Sequence, residues 1–265
     1  MKVNDIKINY QVKGEGEPII LIHGGSASVM HWLYQVPELS KHYKVIAYDI
    51  RGHGKTDKPK QDYSIEIFSE DLSELLNELQ VDKAHIIGHS LGGMIAQQFA
   101  LNFPHRISSL VLAATLCTIS KRFETLLDNW ILIAEELGME AIFSQFVLWS
   151  TNDTIYARNT DFIEILKAQY LKDNDQVHAF VSVLKAVKKF DVINQLQKIK
   201  KPTLVLAGEF DILTPPEYSE VIHNKIVDSE FLVLDGAAHT LNFIEDGKPF
   251  NKVVLEFLSK LSHDR

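Results

Sequence analysis

The sequence predicts an α/β fold with a mostly parallel central sheet, helices on both faces and an inserted all-helical segment. Short apolar runs rich in Val, Ile and Leu alternate with helical patterns, as is typical of parallel strands buried on both faces. Such runs occupy residues 19–23, 45–48, 84–88, 110–113, 203–207 and 231–234. Because no Gly/Ser-rich or Pro-rich linker divides the chain, we expect one cooperative unit.

The first residues follow a different pattern. Apolar and polar side chains alternate at Ile6, Ile8, Tyr10 and Val12, which predicts an antiparallel edge hairpin. Residues 1–10 mix charged and apolar side chains and contain no apolar stretch of the kind found in signal peptides. Nor does any apolar run approach the ~20 residues that span a bilayer. We therefore expect a cytoplasmic protein.

One region interrupts the alternation of strands and helices. From residue 116 to residue 190 the apolar side chains recur at helical spacing, and no segment has the character of a strand. We expect this region to be an all-helical lid that covers the ends of the strands. The predicted domains are therefore an α/β core of residues 1–115 and 191–265 and a helical lid of residues 116–190.

Composition limits the class of protein and its partners. Lys and Arg total 27 against 35 Asp and Glu, and the formal net charge of -8 opposes the basic surface that nucleic-acid binding requires. Cys117 is the only cysteine, so an intramolecular disulfide is excluded and a reducing compartment fits better. We expect a small-molecule substrate, no nucleic-acid or membrane partner, and a monomer or homodimer.

A Gly-x-Ser-x-Gly motif lies between a predicted strand and a predicted helix, at residues 88–92. Its glycines permit a sharp turn that lifts the serine above the sheet, because larger side chains would collide with the adjoining strand and helix. Ser90 then lies at a helix N-terminus, where backbone N–H groups favour the negative charge that develops in acyl transfer. We predict that Ser90 is a nucleophile.

A serine hydroxyl needs a base, and the base needs an acid that orients it. His239 lies in a short loop after the last predicted strand, from which its imidazole can reach the strand ends. Asp211 comes shortly after the strand predicted at residues 203–207 and is assigned as the acid. Glu209 is an alternative for the same role.

Acyl transfer also needs two N–H donors for the oxyanion. The first is the backbone N–H of Leu91, the residue after the nucleophile. The second is expected in the loop after an early strand, where His-Gly-Gly-Ser at residues 23–26 allows the backbone to approach a substrate closely. We assign this donor to Gly25.

Together these motifs resemble the α/β-hydrolase superfamily. The resemblance rests on residues 23–26, Asp-Ile-Arg-Gly-His-Gly at residues 49–54, Gly-His-Ser-Leu-Gly-Gly at residues 88–93, Asp211 and His239. Nucleophile, acid and base also stand in the chain order that this superfamily uses. The pattern is similar to the branch that contains small carboxylesterases, enol-lactone hydrolases and C–C bond hydrolases of aromatic degradation. It implies that the loop at residues 51–54 is structural.

The expected function is hydrolysis of small to medium hydrophobic esters or lactones through an acyl-enzyme intermediate, in the manner of a carboxylesterase or lactonase. No cofactor and no metal ion are expected. An apolar pocket under the lid would select the substrate. The side chains expected to line this pocket are Trp32, Trp130, Phe143, Phe146, Trp149 and Leu213.

Two alternative functions use the same fold. A C–C bond hydrolase with the same triad would act on a dienone acid and would need a cationic clamp for the carboxylate, which Arg122 or Arg158 of the lid could supply. A weakly catalytic ligand receptor would keep the triad but not turn over its ligand, because the fold alone does not decide the function.

Overall fold

The computed structural model describes residues 1–171 and 176–263 of the chain. The predicted lid includes residues 172–175 and the predicted core includes residues 264–265, which lie outside the described residues. The described strands are β1 (Lys2–Val3), β2 (Ile6–Lys7), β3 (Tyr10–Lys13), β4 (Pro18–Ile22), β5 (Lys44–Tyr48), β6 (Ala84–His89), β7 (Ile107–Ala113), β8 (Thr203–Gly208) and β9 (Ser229–Leu234). The described helices are α1 (Gln35–Leu39), α2 (Ile65–Glu78), α3 (Leu91–Asn102), α4 (Lys121–Ser150), α5 (Asp153–Arg158), α6 (Thr160–Tyr170), α7 (Gln176–Lys188), α8 (Pro216–Lys225) and α9 (Lys248–His263).

The main sheet contains seven strands in the order β3-β5-β4-β6-β7-β8-β9. Strands β4 to β9 pair in parallel, and β3 pairs antiparallel with β5 at one edge. Every residue of β6 and β8 is buried. This burial explains the near-continuous apolar runs in the sequence, because both faces of a central parallel strand contact helices. The predicted mostly parallel sheet is confirmed.

Helices cover both faces of the sheet and divide the core into two clusters. On one face α2 and α3 contribute Leu72 and Phe99, which are fully buried. On the other face α1 and α9 contribute Leu39 and Phe250. The predicted arrangement of helices on both faces is therefore confirmed. No helix in the two described ranges is long and apolar enough to cross a membrane.

The amino-terminal strands differ from the predicted edge hairpin. β1 pairs with β2 in a separate antiparallel sheet of two strands, whereas β3 joins the main sheet beside β5. The chain changes sheets at Asn9, whose backbone N–H donates to the Thr56 hydroxyl at 2.9 Å. The alternating pattern thus covers two short strands with different partners, and Val12 remains 44% exposed.

Within the described part of the insertion, four helices, α4 to α7, lie between β7 and β8. The two ends of this insertion meet, because Thr118 and Asp191 form an antiparallel bridge and the Val192 N–H donates to the Cys117 carbonyl at 2.9 Å. Helix α4 is kinked at Gly138, whose φ of 78° interrupts the helical backbone. The insertion therefore starts and ends at one point above the sheet.

A buried ion pair connects the loop after β5 to helix α2. Arg51 donates through Nε and Nη2 to the two carboxylate oxygens of Asp71, at 2.7 and 2.8 Å. Both side chains are 2% exposed. Arg51 Nη2 also donates to Asp5 at 2.7 Å, so the pair ties the amino-terminal turn to the same helix.

We expect Asp71→Ala to lower the free energy of unfolding by about 3–5 kcal/mol, because it leaves the buried Arg51 guanidinium with too few acceptors. Urea unfolding of the purified variant measures this loss. The matched control is Glu38→Gln, which breaks the surface pair with Lys41 and should change stability by less than about 0.5 kcal/mol. Equal stability of the two variants would contradict the role of the buried pair.

Candidate active site

The turn between β6 and α3 holds Ser90 in a strained backbone conformation, with φ 52° and ψ -115°. Positive φ is unfavourable for a serine and persists only where the surroundings impose it. The adjoining glycines provide the necessary space. A Cβ atom on Gly92 would lie 2.1 Å from the Ile22 carbonyl oxygen, and one on Gly88 would lie 2.2 Å from the Gly92 carbonyl oxygen. The turn therefore requires glycine at both positions.

Three predicted side chains form a continuous hydrogen-bonded line. His239 Nδ1 lies 2.8 Å from Asp211 Oδ2, and His239 Nε2 lies 3.0 Å from Ser90 Oγ. An ionised carboxylate can only accept, so Nδ1 carries the proton and Nε2 is free to accept the hydroxyl proton of Ser90. The three residues come from the ends of three elements: the β6–α3 turn, the loop after β8 and the loop after β9.

Asp211 is held as a carboxylate by its hydrogen bonds. Burial alone would raise the pKa of Asp211, but the electrostatic interaction and the hydrogen bond with His239, together with hydrogen bonds from Thr214, outweigh it and lower the pKa. Its Oδ1 accepts from the backbone N–H groups of Leu213 and Thr214 at 2.9 and 2.8 Å. Glu209, the alternative acid, instead accepts from the Gly236 N–H at 2.8 Å in an exposed position.

The two predicted oxyanion donors line the same cavity as Ser90. Leu91 is the first residue of α3, and the first N–H groups of a helix have no partner within the helix. Gly25 faces open space, because a Cβ atom added there would meet no atom within 4 Å. Its neighbour Gly24 approaches Ser90 so closely that an added Cβ would lie 3.3 Å from Ser90 Cβ.

A cavity of about 1090 Å³ opens above Ser90 and His239, between the sheet and helices α4 to α7. Of the predicted lining side chains, the structure brings Trp130, Phe143, Phe146 and Leu213 to this cavity. Several apolar lining residues were not predicted, namely Phe123, Leu127, Met139, Phe180, Val183, Leu184 and Val187. Their helical spacing is visible in the sequence, but spacing alone does not distinguish a cavity wall from a helix core.

Trp32 and Trp149 were predicted to line the pocket, and this prediction is wrong: neither is among the described lining residues. Trp32 is fully buried on the α1 and α9 face of the sheet, with its ring 6.2 Å from that of Phe250. On α4 the cavity residues Phe143, Phe146 and Ser150 follow one helical stripe, and Trp149 falls outside this stripe.

Buried histidines surround the triad, and sequence analysis gave them no role at the site. His89, immediately before Ser90, donates from Nε2 to the His239 carbonyl at 2.8 Å. Burial lowers the pKa of His89 to about 3, so its ring remains neutral. His31 also lines the cavity and lies 4.5 Å from His89, measured between ring centroids. His89 thus connects the loop that carries His239 to the strand that precedes Ser90.

A model of the alpha/beta hydrolase fold family matches residues 17–246. The chain belongs to this family. Among curated relatives, this α/β hydrolase is 30% identical to 3-oxoadipate enol-lactonase 2 of Acinetobacter baylyi, over 96% of this chain and 94% of the relative. It is 28% identical to a 2-hydroxy-6-oxo-2,4-heptadienoate hydrolase of Pseudomonas putida, over 96% and 93% of the two chains.

Among solved structures, this α/β hydrolase is similar to the enol-lactonase from Burkholderia xenovorans LB400. The two share a TM-score of 0.91 and 26% sequence identity, over 97% of this chain and 98% of the other. As to metal ions, no three His, Cys, Asp or Glu side chains converge into a possible site within residues 1–171 and 176–263.

The buried histidines predict a loss of stability in mild acid. Burial is the largest cause that lowers the pKa of His23 to about 4 and those of His53 and His89 to about 3. The unfolded chain binds protons on these rings below about pH 6.5, whereas the folded chain does not. Each ring therefore reduces the free energy of unfolding by about 1.4 kcal/mol per pH unit as the pH falls from 6.5 towards its folded pKa.

Urea unfolding at pH 7, 6 and 5 measures this slope. His53→Gln should reduce the change in the free energy of unfolding by about 1.4 kcal/mol per pH unit, the contribution of one proton. His105→Gln, at an exposed position, should leave this slope unchanged. A free energy of unfolding that does not change between pH 7 and pH 5 would refute the assignment of these histidines as neutral buried groups.

Proposed function

We propose that this α/β hydrolase is a serine hydrolase that cleaves small to medium hydrophobic esters or lactones through an acyl-enzyme intermediate. The observation that carries the proposal is the hydrogen-bonded line from Ser90 through His239 to Asp211, which opens directly into the apolar cavity. In this role Ser90 is the nucleophile, His239 the general base and acid, and Asp211 the residue that orients the imidazole.

In the first step Ser90 Oγ attacks the substrate carbonyl carbon and its proton passes to His239 Nε2. The resulting oxyanion accepts hydrogen bonds from the backbone N–H groups of Leu91 and Gly25. The carbon–oxygen bond to the alcohol then breaks as His239 Nε2 returns the proton to the leaving oxygen. Water attacks the acyl-serine in the same way, and the acid is released with Ser90 restored.

The cavity wall supports a hydrophobic substrate. Aromatic side chains of α4, such as Trp130 and Phe146, contact each other with ring centroids 4.5 Å apart and line the space above Ser90. We propose that residues 116–190 act as the lid that selects the substrate. The similarity to two enol-lactonases, one in sequence and one in structure, supports lactones as well as open-chain esters.

The arginine clamp expected of a C–C bond hydrolase has no support in the cavity. Arg122 is directed towards the Ile212 carbonyl, with Nη2 3.5 Å from the oxygen in an exposed position. Neither Arg122 nor Arg158 is among the described lining residues. This placement favours an ester or lactone over a dienone acid, although one relative is named as a hydrolase of such an acid.

A substrate panel tests the proposal. p-Nitrophenyl acetate, p-nitrophenyl butyrate, a six-membered lactone and a dienone acid should be compared in wild type and variants. We expect Ser90→Ala and His239→Ala to lower kcat/KM for the esters by at least about a thousandfold, because each removes a partner in the first proton transfer. Asp211→Asn should lose less or a comparable amount.

The matched control is Glu209→Gln, which neutralises the exposed neighbouring carboxylate and should keep activity within about twofold. Undiminished turnover in Ser90→Ala would refute the proposed nucleophile. Turnover of the dienone acid without ester cleavage would establish the C–C hydrolase instead. Fewer than one turnover per molecule on every substrate would indicate the ligand receptor.

A further inference from the structure

Thr214 lies beside the hydrogen bond between Asp211 and His239. Its hydroxyl oxygen is 2.8 Å from Asp211 Oδ2 and 3.1 Å from His239 Nδ1. The carboxylate oxygen and the ring nitrogen are themselves 2.8 Å apart, so the three atoms form a compact triangle. All three residues are buried. The Thr214 hydroxyl therefore contacts both atoms of the hydrogen bond that orients the imidazole.

The turn after β8 fixes the position of this hydroxyl. Asp211 Oδ1 accepts from the backbone N–H groups of Leu213 and Thr214, which closes the turn around the carboxylate. Two prolines at residues 215–216 follow directly, and their fixed φ angles stiffen the entry to α8. Leu213 lines the cavity, whereas Thr214 is 1% exposed and is not among the described lining residues. The Thr214 hydroxyl therefore contacts the triad and not the space that a substrate would occupy.

The negative charge of Asp211 decides the direction of each hydrogen bond in this triangle. An ionised carboxylate can only accept, so the Thr214 hydroxyl and the His239 Nδ1–H both donate to Oδ2. A hydrogen bond to an ionised acceptor is stronger than one to a neutral ring nitrogen, so the hydroxyl proton points at Oδ2 rather than at Nδ1. The Thr214 oxygen then presents a lone pair to Nδ1 and can only accept from it. The Nδ1 proton is thus shared between two acceptors.

We propose that Thr214 is a positioning residue for the proposed general base, acting through its hydroxyl as a second acceptor for the Nδ1 proton of His239. The inference rests on the proposed hydrolysis and adds a residue on which its base depends. A second acceptor favours the tautomer with the proton on Nδ1, which leaves Nε2 free to take the proton of Ser90. It also restricts rotation of the ring away from Ser90 and stabilises the imidazolium that forms when Ser90 attacks.

Thr214→Val tests this role, because valine has nearly the shape of threonine and lacks the hydroxyl. We expect kcat for p-nitrophenyl acetate to fall at least about tenfold, the usual effect of losing one hydrogen bond to a charged group. KM should stay within about twofold, since the hydroxyl does not contact the substrate. Thr214→Ala should give the same result without placing a second methyl group beside the carboxylate. Thr214→Ser keeps the hydroxyl and should retain kcat within about threefold.

The matched control is Thr203→Val. Thr203 is the first residue of β8, is 1% exposed and donates its hydroxyl proton to the Lys201 carbonyl at 2.8 Å. The substitution therefore removes an equally buried hydroxyl, and a hydrogen bond of the same length, from the other end of the strand that leads to Asp211. We expect kcat and KM of this variant to stay within about twofold of wild type.

A second measurement does not depend on the acyl group of the substrate. Diethyl p-nitrophenyl phosphate reacts with an activated serine: Ser90 Oγ bonds to phosphorus, p-nitrophenolate leaves, and His239 takes the hydroxyl proton. The rate constant for the release of p-nitrophenolate should fall at least about tenfold in Thr214→Val and Thr214→Ala. Thr214→Ser and Thr203→Val should react at nearly the rate of wild type.

Unchanged kcat and phosphorylation rate in Thr214→Val and Thr214→Ala would overturn the positioning role. An equal loss in Thr214→Ser or in Thr203→Val would overturn it as well, because the loss would then not follow the hydroxyl beside His239. If wild type reacts with the ester and the phosphate but the Thr214 variants do not differ from it, the positioning role fails alone. If wild type reacts with neither compound, the proposed hydrolysis fails and the positioning role fails with it.

Discussion

The close approach of β4, β6 and α3 at the Ser90 turn is the constraint on which the site depends. Here the backbones lie so near that a methyl group at Gly92 would overlap the Ile22 carbonyl. That contact lifts the Ser90 side chain out of the sheet and aims it at the loops after β8 and β9. Because the central strands are parallel, their carboxyl ends lie at one edge of the sheet. Ser90 and His239, which are 149 residues apart in the sequence, can therefore come into contact there.

The polar side chains buried around this edge are either hydrogen-bonded to donors or kept uncharged. Asp211 keeps its charge because His239 and Thr214 provide donors, whereas His89 stays uncharged and uses one ring nitrogen to hold the His239 loop. In the proposed mechanism the Asp211 carboxylate stabilises an imidazolium at His239, and a neutral His89 does not repel that charge. A protonated His89 would place a like charge 4.9 Å from the imidazole of His239, between ring centroids.

Sequence could predict the features that are encoded locally. Glycine spacing around Ser90 and the position of His239 after a buried strand are visible without tertiary information, and the strand runs gave the parallel sheet. The directions of individual side chains depend instead on tertiary packing. Trp32 turns into the core and Trp149 leaves the cavity stripe of α4, and neither direction is determined by residue type.

Because Thr118 and Asp191 form a bridge, the inserted helices leave the core and return to it at the same point. The two ends of the inserted segment are held together by this bridge, and the entropic cost of closing a loop depends only weakly on the number of residues in it. Helices could be added, shortened or exchanged there while the register of β7 and β8 stays intact. In this architecture the inserted helices can change in sequence and length while the loops at the carboxyl ends of the strands stay the same. Related chains can therefore bind different molecules with the same set of reacting groups.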